Sequence, residues 1–283
     1  MSIDFTIFIC THGRPDTQYT LDMLRHCGYT GKIWLVLDDT DSTIQQYIDN
    51  YGAENILIFD KNYFINDSDT GTDKLFDKCI LYAKNAVEYV ANYWGLKYFA
   101  IADDDIKNLC VRYIDGDKLR RFNIDTNFDL YLQGYLDFLE STNMAAVGFG
   151  TANSYFSGVD TFSFSSLDKL RIVYQFVIRS IRYDIKWRSF MNEDSVTSIL
   201  HSNWGQYMLI NPSIMQTTTV IGETSDAGGM HETYQVNNSL RRCLITMIFA
   251  PNCIHPYKYK GSYVLKIDRA NAFPKIISGA YKK

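Results

Sequence analysis

A chain of 283 residues with 46% hydrophobic and 21% charged content can bury a sizeable core, which excludes a disordered or fibrous protein. Net charge of −4 argues against a polyanion binder that uses its whole surface, but it leaves room for a local basic face. No stretch approaches ~18 uninterrupted apolar residues, so no membrane span is expected. The N-terminus lacks the basic region of a signal peptide, and six scattered cysteines without a C-x-x-C pair read as reduced, buried thiols. A cytoplasmic protein is the expectation.

Phe5 to Cys10 reads as a buried strand, and Pro15 then opens a helix to about Cys27. Lys32 to Leu37 is a second strand ending at Asp38-Asp39-Thr40-Asp41, where Asp41 or Ser42 caps a short helix to about Tyr51. Asn55 to Phe59 is a third strand. The polar residues 60–71 read as a loop, Thr72 to about Trp94 as a long helix, and Tyr98 to Ala102 as a fourth strand. Strand and helix alternate as in a doubly wound sheet. Beyond it, helices are expected at Phe128 to Thr142, Asn192 to Asn203 and Asn238 to Phe249. Strands are expected at Ala145 to Phe149, Ile172 to Arg179 and Tyr207 to Ile210. Thr224 to His231 reads as a loop, and the tail from Asn252 as basic and irregular. No repeat or linker divides the chain, so one domain over 1–283 is expected.

The fourth strand runs directly into Asp103-Asp104-Asp105. Ligands of open α/β sheets bind at the carboxyl ends of strands, and crowded carboxylates repel unless a cation shares them. Hard oxygen ligands of this kind suit Mg²⁺ or Mn²⁺ carrying phosphate oxygens. A solvated acidic turn has the same sequence, so the neighbouring strand ends decide. The first strand ends in Thr11-His12-Gly13-Arg14-Pro15, where Arg14 can grip phosphate. The second ends in Asp38-Asp39, which can accept from ribose hydroxyls or a base N–H. Asn192-Glu193-Asp194 opens a later helix; carboxylates also favour helix N-termini on dipole grounds alone.

T-x-x-R-P, D-D, D-D-D and a later N-E-D, each at an element end and in this order, resemble the nucleotide-sugar glycosyltransferases of the GT-A fold. That resemblance implies a Rossmann-type, mostly parallel α/β sheet flanked by helices, with a helical and basic C-terminal extension. It implies a nucleotide-sugar-binding half over 1–110, an acceptor half over 111–235, and a C-terminal helix and tail over 236–283. By position, Asp103 and Asp105 resemble the metal-binding D-x-D acids. Thr11, Arg14, Asp38, Asp39 and Asp104 fall on the donor side, and Asp194 or Glu193 resembles the acceptor's base. A late histidine often completes the metal site in such enzymes, and both His231 and His255 are candidates.

Gly228-Gly229-Met230-His231-Glu232, Tyr234, Ser239 to Arg242, Ala250-Pro251 and the basic tail narrow the resemblance to the TET-associated glycosyltransferases. These are largely phage proteins thought to glycosylate hydroxymethylated pyrimidines in DNA. The resemblance implies a UDP-sugar donor and hydroxymethylcytosine in bacteriophage DNA as acceptor. Gly228, Gly229 and His231 would then belong to the acceptor side. Phosphate contacts are expected from Lys118, Arg120, Arg121, Arg179, Arg182, Lys186, Arg188, Arg241, Arg242, Lys258 and Lys260. Tyr183, Trp187, Tyr257 and Tyr259 are interleaved and could stack on bases. The same alternation of charge and aromatic residues also fits a half-exposed sheet.

The same chemistry on a glycan, protein or small molecule is the main alternative, and the negative charge favours it. A nucleotidyltransferase would need a Gly-rich, Lys-bearing phosphate loop where this chain has only Gly13 and Arg14. A non-enzymatic sugar-binding module would not require three acids at a strand end.

Overall fold

The computed structural model describes residues 5–72, 79–163, 170–218 and 239–273. Its first half follows the apolar runs. The elements are β1 (Thr6–Cys10), α1 (Tyr19–His26), β2 (Lys32–Asp38), α2 (Ile44–Tyr51), β3 (Ile56–Phe59), α3 (Lys61–Asp67), α4 (Ile80–Tyr93) and β4 (Tyr98–Asp103). These four strands pair in parallel in the order β3-β2-β1-β4, so their carboxyl ends share one edge. The second half contributes β5 (Ile106–Asp115), β6 (Lys118–Asn123), α5 (Phe128–Ser141), β7 (Ala146–Gly150), β8 (Phe176–Ser180), α6 (Glu193–Asn203) and β9 (Met208–Thr218). It closes with α7 (Ser239–Phe249), β10 (Ile254–Tyr259), β11 (Ser262–Ile267) and α8 (Arg269–Ala272).

Nine of the described strands make one sheet, β3-β2-β1-β4-β8-β7-β9-β5-β6, which joins both halves of the chain. The fold is the expected Rossmann-type α/β sheet flanked by helices, parallel through its first four strands and mixed beyond them. Strand β8 enters antiparallel to β4, β7 is antiparallel to β8, and β9 is parallel to β7. One face of the sheet packs Leu24, Tyr47, Phe128 and Leu132 from α1, α2 and α5. The other packs Leu81, Tyr82, Ala86 and Val87 of α4, and over that helix lie Tyr183, Ile185 and Trp187. A smaller cluster of Ile199, Ala250, Cys253, Ile254 and Phe273 fastens α7 and the β10–β11 hairpin to α6.

Several elements depart from expectation. Residues 60–71 hold a helix, α3, because Asp60 caps it by accepting from Tyr63 N at 3.1 Å. Helix α1 starts only at Tyr19; before it, Gln18 Nε2 ties back to the Arg14 carbonyl at 2.9 Å and keeps Pro15 in a turn. The β5–β6 hairpin departs from the sequence reading, because its outer strand, Lys118 to Asn123, buries none of its side chains fully and so carries no apolar period. The expected Ile172–Arg179 strand is β8 alone, and the Tyr207–Ile210 strand runs on to Thr218. The tail after Asn252 is not irregular but forms the two-stranded β10–β11 hairpin. The helix expected from Thr72 begins only at Ile80, because Cys79 before it is extended at φ −150°; residues 73–78 and the 224–231 loop lie outside the described residues. Among the described residues, no helix is long and apolar enough to cross a membrane.

Candidate active site

The parallel register carries the loops after β1, β2 and β4 to one edge. Asp104, buried in the turn after β4, fixes the first loop: Oδ1 accepts Arg14 Nη1 at 2.9 Å and Oδ2 accepts Thr11 Oγ1 at 2.8 Å. Tyr47 OH lies 2.9 Å from Thr11 Oγ1 and accepts from Arg14 N at 2.9 Å. Asp41 Oδ2 accepts from Gly13 N at 2.8 Å, where φ is +67°, a conformation that glycine adopts without strain. His12 joins this loop to the next, its Nδ1 lying 2.8 Å from Asp38 Oδ2. Asp38 is partly buried, which would raise its pKa. Hydrogen bonds from His12 and Thr40, with Lys61 nearby, outweigh burial and hold it well below the usual carboxylate range. Asp39 is exposed and accepts from Lys61 N at 3.0 Å, so it helps to start α3.

The acid run and the later acidic pair meet around Lys84 of α4, a residue absent from the sequence reading. Lys84 Nζ is 2.7 Å from Glu193 Oε1, and the charges of Asp103 and Asp194 also bear on it. Burial alone would lower its pKa; the carboxylates, Glu193 foremost, outweigh burial and keep it charged. Asp103 is pushed up to about 8 by burial, with Asp105, Glu193 and Asp104 adding to the effect and Lys84 opposing it. Asp194 is pushed up to about 7 by burial and by the Glu193 charge, although its Oδ1 accepts from Ser195 N at 2.6 Å. Asn192 starts α6 in the left-handed region at φ 53° and donates Nδ2 to Thr246 Oγ1 at 2.8 Å, so α7 sets the position of the acidic pair.

A divalent ion fits this strand end. Asp103 Oδ1 is out of solvent and has no hydrogen-bond partner among the described residues, and Asp105 lies close enough to raise its pKa. Among the described residues, no three His, Cys, Asp or Glu side chains gather as a metal cluster. Two carboxylates with phosphate and water making up the remainder is how Mg²⁺ is usually held.

Other expected site residues fall elsewhere. Trp187 is fully buried and donates Nε1 to Glu88 Oε1 at 3.1 Å, which corrects its assignment as a stacking surface for bases. Arg179 is likewise buried, bidentate on Glu88 at 2.6 and 3.0 Å, and cannot reach phosphate; Tyr183 packs in the same core. Arg188 is half-buried and ion-paired with Asp69 at 2.8 Å. Strand β5 leads away from the acid turn, so Lys118 lies at the opposite edge of the sheet, roughly 30 Å off for a strand of this length. Arg241 and Arg242 are half-buried in the first turn of α7, one turn before Thr246. Lys258 and His255 are exposed on β10. Gly228, Gly229 and His231 lie outside the described residues. The missed residues Lys84, Asn85 and Glu88 had one signal: charge and amide at positions where the pattern of α4 demands apolar side chains.

Glucosyl-3-phosphoglycerate synthase from Mycobacterium tuberculosis, solved with Mg²⁺ and uridine diphosphate, aligns with 93% of this chain and 86% of its own. The TM-score is 0.45 and the identity 8%, an overlap too loose to carry an argument. Comparison with curated proteins finds no match. The family model described as TET-Associated Glycosyltransferase matches residues 5–229, which span all the strand ends described above and the Glu193-Asp194 helix start. The chain therefore belongs to the TET-associated glycosyltransferase family.

Proposed function

We propose that this glycosyltransferase moves a sugar from a UDP-sugar to a hydroxyl acceptor with the help of Mn²⁺ or Mg²⁺, and that the acceptor is a 5-hydroxymethylpyrimidine in DNA. The observation that carries the reading is the meeting of two acid groups from distant parts of the chain: Asp103, with a buried oxygen that has no partner among the described residues, and the Glu193-Asp194 pair. Asp103 and Asp105 would hold the ion, which stabilises the leaving diphosphate as a Lewis acid. The loop after β1 presents Arg14 with its direction set by Asp104. Asp38 holds His12, and the two together offer polar groups for the non-reacting nucleoside. Glu193 is engaged by Lys84, so Asp194 is the better candidate to take the acceptor hydroxyl's proton. Division into a donor half (1–110), an acceptor half (111–235) and a C-terminal extension (236–283) belongs to the same reading.

The DNA acceptor rests on the family's name and on the basic start of α7, the helix whose Thr246 is bonded to Asn192 next to the acidic pair. A glycan or small-molecule acceptor is favoured by a specific observation: Arg179, Tyr183 and Trp187 are withdrawn into the core, which leaves a smaller basic and aromatic face. One assay addresses both. The protein is incubated with UDP-sugars, Mn²⁺ and either hydroxymethylated or ordinary duplex DNA, and the DNA is digested for nucleoside mass spectrometry. Sugar on hydroxymethylated nucleosides alone is expected, and its loss in EDTA or in the Asp103→Asn/Asp105→Asn variant. Turnover that persists in EDTA removes the metal, and donor hydrolysis without DNA labelling removes the DNA acceptor.

A further inference from the structure

Lys84 lies in the second turn of α4 with 2% of its surface exposed. A buried ammonium is costly unless it is paired. Its Nζ is 2.7 Å from Glu193 Oε1 and 4.7 Å from the centre of the Trp187 ring, which closes it off from water. Its pairing partner lies 109 residues away, at the start of α6, and Asp103 at the end of β4 acts on the same ammonium. One buried cation thus answers carboxylates from two distant elements: it is paired with Glu193 of α6 and lies in the field of Asp103 at the end of β4.

We propose that Lys84 is a positioning residue and the resident counter-charge of the active site: it holds Glu193 on itself and opposes the divalent ion at Asp103. The inference rests on the metal-dependent reading above. A fixed positive charge near Asp103 lowers cation affinity, while Glu193 partly cancels that charge. Ion binding is therefore set by a balance of buried charges as well as by the ligands. A lysine that merely held the fold together would behave differently, since its loss would loosen Asp103 and weaken the ion.

The test is a charge cycle on the full chain: wild type, K84M, E193Q and K84M/E193Q. Each is titrated with MnCl₂ by calorimetry in the presence of UDP, and its turnover and donor KM are measured. K84M is expected to bind Mn²⁺ roughly tenfold more tightly than wild type, E193Q more weakly, and the double variant near wild type. Turnover should fall in both single variants with donor KM little changed, and the double variant should be no worse than the poorer single. If K84M fails to fold, the double variant against E193Q carries the same comparison, and tighter binding in the double variant is expected. Equal or weaker Mn²⁺ binding on loss of the lysine overturns the inference, and so does absence of binding in every variant. Wild-type binding with K84M unchanged removes the role of Lys84 but leaves the metal-dependent reading. Binding in K84M alone retains Lys84's role but removes that reading.

Discussion

Among single residues, Asp194 and Asp103 carry the most specific expectations. With Asp194 as the proposed base, Asp194→Asn should remove most transfer yet leave donor affinity near wild type. Glu193→Gln should lower turnover less. If Asp194 served only the helix dipole, its loss would cost roughly 0.3–1 kcal/mol of stability and leave turnover normal. Melting temperature and turnover measured together separate the two. As a base, Asp194 works only when deprotonated, so turnover should rise as pH passes through about 7. Stability should move the other way. Both carboxyls have folded values above the unfolded one, so between pH ~4 and their folded values the native state holds protons that the unfolded chain has lost. Their contribution is full in acid and disappears as pH rises through about 7 for Asp194 and about 8 for Asp103. Without metal, Tm should fall between pH 5.5 and 8.5, and Mn²⁺ should restore more of it at the higher pH. A metal-free Tm that rises over that range would contradict the burial of these two groups.

Helix α4 is the element on which the site depends most. It is apolar toward the sheet, and the segment from Tyr183 to Met191 crosses its outer face, so Lys84, Asn85 and Glu88 are buried too. Each has a partner: Lys84 with Glu193, Asn85 with the Trp187 backbone at 2.8 and 3.1 Å, and Glu88 with Arg179 and Trp187. The helix thereby locks the second half of the chain onto the first. Removing one partner of a buried pair leaves the other charge uncompensated. Glu88→Gln should therefore cost roughly 3 kcal/mol, read as a lower urea midpoint, with donor KM unchanged in the folded fraction. A midpoint within error of wild type would mean that Arg179 finds another acceptor.

For the whole molecule, charge is divided between two edges of one sheet. The acid cluster lies at the carboxyl edge, and α7, whose first turn carries Arg241 and Arg242, is tied to the Glu193-Asp194 helix start through Thr246, whereas Lys118 starts β6 at the far edge. If duplex DNA is the acceptor, Arg241→Ala/Arg242→Ala should weaken DNA binding and reduce the slope of log K against log salt by about 1–2. Donor KM should stay constant. Changes at Lys118 and Arg120 should have smaller effects, because a duplex centred on the acid cluster meets them only at its periphery. Fluorescence anisotropy over a salt series measures both, and an equal slope in wild type and the double variant would move the DNA away from α7.

The sequence by itself determined the elements that have a strong period and the acids that end them. Five mostly apolar residues leading into Asp103-Asp104-Asp105 read as a buried strand with its charges at one end, and alternating strands and helices bring such ends together. That made β1 to β4 legible, with acids at their carboxyl ends and Glu193-Asp194 at a helix start. Local signals failed where partners are distant. Nothing near Lys84 announces Glu193, and nothing near Trp187 says that its indole meets Glu88 rather than a base. Asp104 reads as one acid among three, yet it spends both oxygens on Thr11 and Arg14. Only the tertiary structure decided these roles, because a charge in mid-helix is solvated or buried according to what crosses over it. Here a segment about 100 residues away crosses α4 and turns its polar side chains into the interior of the protein.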